Sequence, residues 1–208
     1  MQSTEVYPGA FHFQGYFSLE EQKALVHRCK LLGSHPAGFY TPVHKSGAYM
    51  RIQMFSIGMH WNPITYKYEK IRSDHDGLAV QELPEDLKQL AKRIADEAAM
   101  QIDPDICILN FYNESGKLGL HQDKDEKPDT IRAGIPVVSI SLGDSCEFLM
   151  GGTTRKDRVK KIPLSSGDAF LFGGVSRLRY HGVSSILPGT APLDLEVSGR
   201  YNLTFRQY

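Results

Sequence analysis

The sequence predicts an all-β core with flanking helices, an α+β chain whose C-terminal half is a β sandwich or small barrel. Three observations point there. From Ile106 onward, short runs rich in β-branched and aromatic residues alternate with turn residues. Before that point, two stretches repeat apolar residues at helical spacing. Between those stretches lies a segment dense in aromatics, methionine, glycine and basic residues that follows neither helical pattern.

In chain order, Ser18 followed by Glu21 has the spacing of a capping box. Leu19, Ala24, Leu25, Leu31 and Leu32 then offer an apolar stripe, so a first helix is expected over about 18–32, up to Gly33. The segment from Phe39 to Asp76, with short alternations such as AYMRIQMF, reads as hairpins and loops, and a lid is expected over about 37–80. A second helix should begin near Pro84, where the missing amide hydrogen is harmless. Glu85 and Asp86 suit its N-terminal dipole, and Leu87, Leu90, Ala91, Ile94 and Ala98 repeat at helical spacing before Pro104. The runs ICILNFY, PVVSISL, EFLM, DAFLF, LRYHGV and RYNLTFR are then the strands of a core over about 105–208, with the helices covering one face.

At 208 residues and 41% hydrophobic content, one domain over 1–208 with a sizeable core is expected. Lys plus Arg (24) equals Asp plus Glu (24), so no global positive field advertises a nucleic-acid partner. Such a partner would need a local patch. Lys45, Arg51, Lys67, Lys70 and Arg72 near the lid, and Arg155, Lys156, Arg158, Lys160 and Lys161 later, are candidates, although charge runs of this length are commonly solvated turns. Cys29, Cys107 and Cys146 are odd in number and widely spaced, which suits a reducing compartment. With no secretory pattern in MQSTEVYPGAFHF and no stretch of membrane-spanning length, a cytoplasmic monomer without membrane contact is expected.

The chemistry-bearing residues begin with GLHQDKDE. His121 and Asp123 are two apart, so an extended backbone points both to one side. His181, in RLRYHGV, could return to them across a barrel. Two histidines and one carboxylate leave three adjacent coordination positions open, the arrangement of a non-haem Fe(II) oxygenase. Taken alone, HxD reads more readily as a charged surface loop, and two histidines with a carboxylate also bind catalytic zinc. In RYNLTFR, Arg200, Asn202, Thr204 and Arg206 share one face, opposite Tyr201, Leu203 and Phe205. A central strand with this pattern would bury two guanidinium groups, which demand anionic partners; a half-exposed strand would simply solvate them. A dicarboxylate ligand would satisfy both arginines, and a zinc hydrolase has no need of one. Asn110 and Tyr112 in LNFYN also share a face and could complete the hydrogen bonds.

The ordered motifs NFY, LHQDKDE, YHG and RYNLTFRQ resemble the AlkB family across about residues 106–207. The resemblance implies a double-stranded β-helix, or jelly roll, preceded by a nucleotide-recognition lid. It assigns Fe(II) to His121, Asp123 and His181, and 2-oxoglutarate to Asn110, Tyr112, Arg200, Asn202 and Arg206. Arg200 would take the distal carboxylate and Arg206 the one near the metal. Dioxygen is the second cosubstrate. The implied activity is oxidative dealkylation of 1-methyladenine- or 3-methylcytosine-type bases in DNA, with RNA as a further candidate, coupled to succinate formation and release of formaldehyde. A flipped or single-stranded base would contact Trp61, Tyr68, Met54, Asp125, Glu126 and Arg155, with Trp61 serving as stacking platform or as core. An oxygenase acting on protein or lipid would carry the same cosubstrate machinery, and a non-catalytic nucleic-acid binding module would keep the fold but have lost turnover, against which the intact ligand positions argue.

Overall fold

The computed structural model describes residues 2–208. The chain opens with a hairpin of β1 (Gln2–Tyr7) and β2 (Ala10–Gln14), followed by α1 (Leu19–Gly33). Strand β3 (Gln53–Ile57) and the short strands β4 (His60–Asn62) and β5 (Lys67–Glu69) precede α2 (Glu85–Asp96). Then come β6 (Ile106–Tyr112), β7 (Leu118–His121), α3 (Pro128–Arg132), β8 (Val137–Gly143), β9 (Ser145–Met150), β10 (Lys160–Leu164), β11 (Ala169–Phe172), β12 (His181–Leu187) and β13 (Arg200–Arg206).

A seven-stranded sheet, in the order β1-β2-β11-β8-β13-β6-β3, and a four-stranded sheet, β10-β9-β12-β7, form the core, with β4 and β5 as a separate hairpin. Every strand of the large sheet that lies in its middle serves two interiors. On β6, Cys107 and Leu109 pack with Leu87, Ala91 and Ile94 of α2, and with Val26 and Cys29 of α1. Ile106, Ile108 and Tyr112 of the same strand instead meet Cys146, Met150, Val183 and Ile186 of the small sheet. The result is three layers, helices on a large sheet on a small sheet, with period-2 alternation deciding which layer each residue joins.

Helix α1 begins as its spacing requires. Ser18 caps it: its Oγ accepts from the Glu21 amide (3.3 Å) while Glu21 accepts from the Ser18 amide (2.9 Å). Its buried stripe differs from the expected one, being Gln22, Val26, Cys29 and Leu32, while Leu31 is 54% exposed and Ala24 is also exposed. Gln22 can occupy the stripe because both ends of its amide are satisfied: Nε2 donates to the Phe17 carbonyl (2.9 Å) and Oε1 accepts from Ser166 (2.7 Å). Helix α2 buries Leu87, Ala91, Ile94 and Ala95, with Leu90 and Ala98 packed at the margin.

Within the segment expected to act as a lid, β3 pairs with β6 and completes the large sheet, and only the β4–β5 hairpin stands apart from both sheets. Four strands lay outside the sequence-based expectation: β1, β2, β7 and β10. Strand β10 carries Pro163, which is tolerated because β10 is an edge strand and pairs only with β9.

The corner where the chain leaves β8 for β9 crosses from one sheet to the other. Gly143 adopts φ +89° there, and a Cβ would stand 2.3 Å from the Gly199 carbonyl oxygen. The buried Asp144 carboxylate pins this corner by accepting from the amides of Thr190 (3.0 Å), Ala191 (3.0 Å) and Gly199 (2.9 Å). Replacing Asp144 by Ala strands three amide hydrogens. A loss of about 2–4 kcal/mol is expected, read as a lowered midpoint with unchanged slope in urea unfolding.

Candidate metal and cosubstrate site

Strands β7 and β12 of the small sheet are antiparallel neighbours, and His121 lies directly opposite His181. The glycine that follows His181 has a physical reason. A Cβ on Gly182 would come within 2.6 Å of the Leu118 carbonyl oxygen, so only glycine lets β12 approach β7 this closely. The imidazole centroids are consequently 4.4 Å apart.

Asp123, just past the end of β7, turns its carboxylate between them. His121 Nε2 is 3.7 Å from Asp123 Oδ1 and His181 Nε2 is 3.6 Å from Asp123 Oδ2. Metal bonds of about 2.0–2.2 Å bridge donors at such separations with small side-chain adjustments. Each ring is held by its other nitrogen: Nδ1 of His121 donates to the Gly119 carbonyl (2.9 Å), and Nδ1 of His181 to that of Arg179 (3.0 Å). Both Nε2 lone pairs therefore face the carboxylate.

The protonation states suit a cation as well. Burial and the neighbouring His181 lower the His121 pKa to about 4. Burial opposes ionisation of Asp123, but the Arg206 guanidinium and His181 outweigh it and hold the carboxyl well below the usual range. A neutral His121 imidazole and an ionised Asp123 carboxylate at neutral pH need release no proton to ligate a metal.

The opposite wall is β13, whose two faces are both buried. Leu203 and Phe205 join the helical layer, and Arg200, Asn202, Thr204 and Arg206 turn into the space between the sheets. The half-exposed alternative for this strand therefore fails. Arg200 lies opposite Tyr112 and Asn202 opposite Asn110 in register, so five of the residues assigned to one cosubstrate sit on two adjacent strands.

Arg200 is 1% exposed, donates Nη2 to Ser141 Oγ (2.8 Å), and finds no partner for Nε or Nη1 among the described residues. Asn202 bonds to Ser139 Oγ (2.8 Å) and the Ile140 carbonyl (2.9 Å). Arg206 forms ion pairs with Asp123 (2.8 Å) and Glu126 (3.3 Å), and its Nε and Nη1 have no hydrogen-bond partner among the described residues. Four buried guanidinium nitrogens are thus without a hydrogen-bond partner among the described residues, the donor set that a dicarboxylate would fill.

A cavity of about 730 Å³, within the range of about 300–1,000 Å³ common for small-molecule sites, opens from the metal-binding cluster to solvent. His121, Asp123, Asn110 and Arg206 line it, together with Met54, Trp61, Tyr68, Asp125 and Arg155. His181, Tyr112, Arg200 and Asn202 lie deeper and are buried. Glu126, expected beside the substrate, is absent from the lining. Its side chain is 0% exposed and is held by Arg177 (3.0 Å), Arg206 and the Tyr68 hydroxyl (3.2 Å). Trp61 donates its indole hydrogen to Asp125 (2.8 Å), which ties the β4–β5 hairpin to the loop after β7.

Arg177 was not singled out by sequence reasoning. Nearly fully buried, it pairs with Glu126, donates to the Ile135 carbonyl (2.8 Å) and bonds the backbone carbonyl of Asp123, so it clamps the loop that carries the carboxylate donor. An arginine between a serine and a leucine in a glycine-rich turn gives no sequence signal for this role.

A jelly-roll sandwich with two histidines on one sheet, a carboxylate in the loop that follows β7 and inward arginines on the other sheet defines a metal-binding double-stranded β-helix. Residues 9–206 match the model of the 2OG-Fe(II) oxygenase superfamily. The chain is 35% identical to the alpha-ketoglutarate-dependent dioxygenase AlkB homolog of Caulobacter vibrioides, over 97% of this chain and 89% of that protein. It is 40% identical to the DNA N(6)-methyladenine demethylase ALKBH1C of Arabidopsis thaliana, over 99% of this chain but 50% of that one. The solved structure of OsALKBH1 superposes with a TM-score of 0.93 at 38% identity, covering 100% of both chains. The chain spans about half the length of the Arabidopsis relatives that it matches. It belongs to the AlkB family of the 2OG-Fe(II) oxygenase superfamily.

Manganese(II), which takes the same donors without oxygen chemistry, is expected to raise the Tm of the purified chain by mass action. His181→Ala should weaken that response by more than about 100-fold in metal concentration. An undiminished shift in the variant would remove His181 from the ligand set.

Proposed function

We propose that the chain is an Fe(II)- and 2-oxoglutarate-dependent dioxygenase that removes alkyl groups from ring nitrogens of bases such as 1-methyladenine and 3-methylcytosine, in DNA and RNA. The observation that carries this reading is the pairing of the His121, Asp123 and His181 donors with a buried arginine, Arg200, that has no carboxylate of its own. Iron with bound 2-oxoglutarate and dioxygen supplies the oxidising equivalent that hydroxylates the alkyl carbon, after which the aldehyde leaves.

The chain's own residues do the positioning. Arg200 pairs with the far carboxylate of 2-oxoglutarate, assisted by the Tyr112 hydroxyl, which burial keeps protonated and therefore able to donate. Asn110 and Asn202 share the same polar wall. Arg206, held cationic by Asp123 and Glu126 despite its burial, stands beside the metal donors where the second carboxylate would arrive. Trp61 supplies an aromatic face in the cavity, Met54 and Tyr68 apolar walls, and Asp125 a carboxylate. Lys124 and Arg155, both exposed and both lining the cavity, suit backbone phosphates; Arg155 is held over the Tyr180 ring at 5.8 Å. A duplex would have to surrender the base by flipping.

Three free buried cysteines support a reducing, cytosolic setting. Among the described residues no helix is long and apolar enough to cross a membrane. A second reading, demethylation of N6-methyladenine in DNA, is favoured by the activity for which the Arabidopsis relatives are named.

The test is mass spectrometry of DNA and RNA oligonucleotides carrying each methylated base, after incubation with the chain, Fe(II), 2-oxoglutarate and ascorbate. Succinate formation with loss of the methyl group supports the proposal, and the base consumed fastest decides between the two readings. Succinate formed only with peptide or lipid substrates would redirect it, and no succinate under any condition would remove the dioxygenase assignment.

Arg200→Met replaces a buried unpaired cation by an apolar side chain. It should raise the apparent KM for 2-oxoglutarate by about 100-fold or more with no loss in urea midpoint, because no native ion pair is broken. A fall in stability with unchanged KM would place Arg200 in folding instead.

Asp125→Asn keeps an oxygen to accept the Trp61 hydrogen bond while removing the charge. It should lower kcat/KM for cationic 1-methyladenine by about 5- to 30-fold relative to neutral 1-methylguanine in the same strand. Equal losses on both bases would assign Asp125 to support of the loop.

A further inference from the structure

We infer that Tyr66 is a stacking platform for the base next to the target nucleotide in an unpaired strand, an inference that rests on the nucleic-acid reading above. The β4–β5 turn places Tyr66 at φ +56°, left-handed backbone that a tyrosine rarely adopts. The turn is held rigidly there: Asn62 Oδ1 accepts from the amides of Ile64 (2.9 Å) and Thr65 (3.0 Å), and its carbonyl from the Tyr66 amide (2.9 Å). Turn positions of this kind favour glycine or asparagine. Here the position carries an aromatic ring that is 50% exposed and yet lines the cavity, so its apolar surface is not spent on the core.

Its relation to Trp61 fixes what it can hold. The two ring centroids are 6.1 Å apart and the planes are inclined by 54°, so the rings neither stack on each other nor form parallel jaws around one base. They offer two differently oriented aromatic faces, one deeper beside the metal-binding cluster and one at the exposed turn. Two such faces suit successive bases of a strand whose target has been splayed out. The phosphate joining them would meet cations, and Lys124 and Arg155 line the same cavity while Lys67 follows Tyr66 on the hairpin. Base stacking on an aromatic side chain is tolerant of sequence, so Tyr66 would add affinity for single strands without selecting the neighbouring base.

The experiment measures kcat/KM on a single-stranded oligonucleotide with one 1-methyladenine, either between normal nucleotides or between abasic sites. Tyr66→Ala should lower kcat/KM by about tenfold on the normal strand and leave the abasic-flanked strand unchanged, while Tyr66→Phe keeps the wild-type value on both. Tyr66→Leu, which retains bulk but no ring, should follow Tyr66→Ala and guards against a folding defect in the smaller variant. An equal loss on both strands, or none on either, overturns the inference. Wild-type chain that acts on neither strand would instead overturn the nucleic-acid reading itself.

Discussion

The site depends on a chain of charges buried between the sheets. Asp123, Arg206, Glu126 and Arg177 are each at most 8% exposed, and Glu126 forms ion pairs with both guanidinium groups at 3.0 and 3.3 Å. No member is tolerable alone: a carboxylate or guanidinium in such surroundings costs several kcal/mol unless paired. The network therefore locks the loop after β7 to β13 and to the segment before β12. His121 and His181 belong to paired strands, whereas Asp123 sits outside regular structure and owes its place to Arg206 and Arg177. An ion network that contributes little net stability still determines where the third metal donor stands.

That network also explains which parts were legible in the sequence. Strand β13 was readable because both of its faces are buried in different company, apolar under the helices and polar between the sheets, so the period of 2 survived as an alternation of chemistry. The helical stripe of α1 was only half readable. Gln22 is buried through a bond to Ser166, far along the chain, and local spacing carries no information about that partner. Arg177 and Glu126 were illegible for the same reason: Arg177 gave no signal and Glu126 was expected beside the base, because the partners that bury them, each other, Arg206 and Tyr68, lie far apart along the chain. Edge strands β1 and β10, polar or proline-bearing, lacked the strand signal that a central strand must have.

The β4–β5 hairpin resolves an alternative that composition left open, stacking surface or core, in favour of neither extreme. Trp61 is partly exposed and lines the cavity, while its indole hydrogen is committed to Asp125; Tyr68 is buried and donates to Glu126. Burial and nearby carboxylates push the Tyr68 pKa well up, so this hydroxyl remains a donor at any working pH. The hairpin is thus fastened at two points to consecutive residues of the loop that holds Asp123. Any displacement of Trp61 by a bound base must act on that loop, which makes the aromatic wall and the metal donors one mechanical unit.

A net charge of zero is compatible with binding a polyanion because the charges are sorted by depth. Asp123 and Asp125 occupy the inner part of the cavity and are buried or half-buried, whereas Lys124 and Arg155 are exposed. The alternation of HQDKDE produces this directly: Asp123 and Asp125 turn inward on one side of the extended chain, and Lys124 turns outward on the other. A phosphate approaching the opening meets cations, and a base entering it meets carboxylates and an indole face. Screening at physiological ionic strength acts over about 8 Å, so each end of the ligand responds to the local charge and hardly to the total. The same short run, His121 to Glu126, that carries two of the metal donors therefore also separates the part of the cavity suited to a cationic ring from the part suited to its backbone.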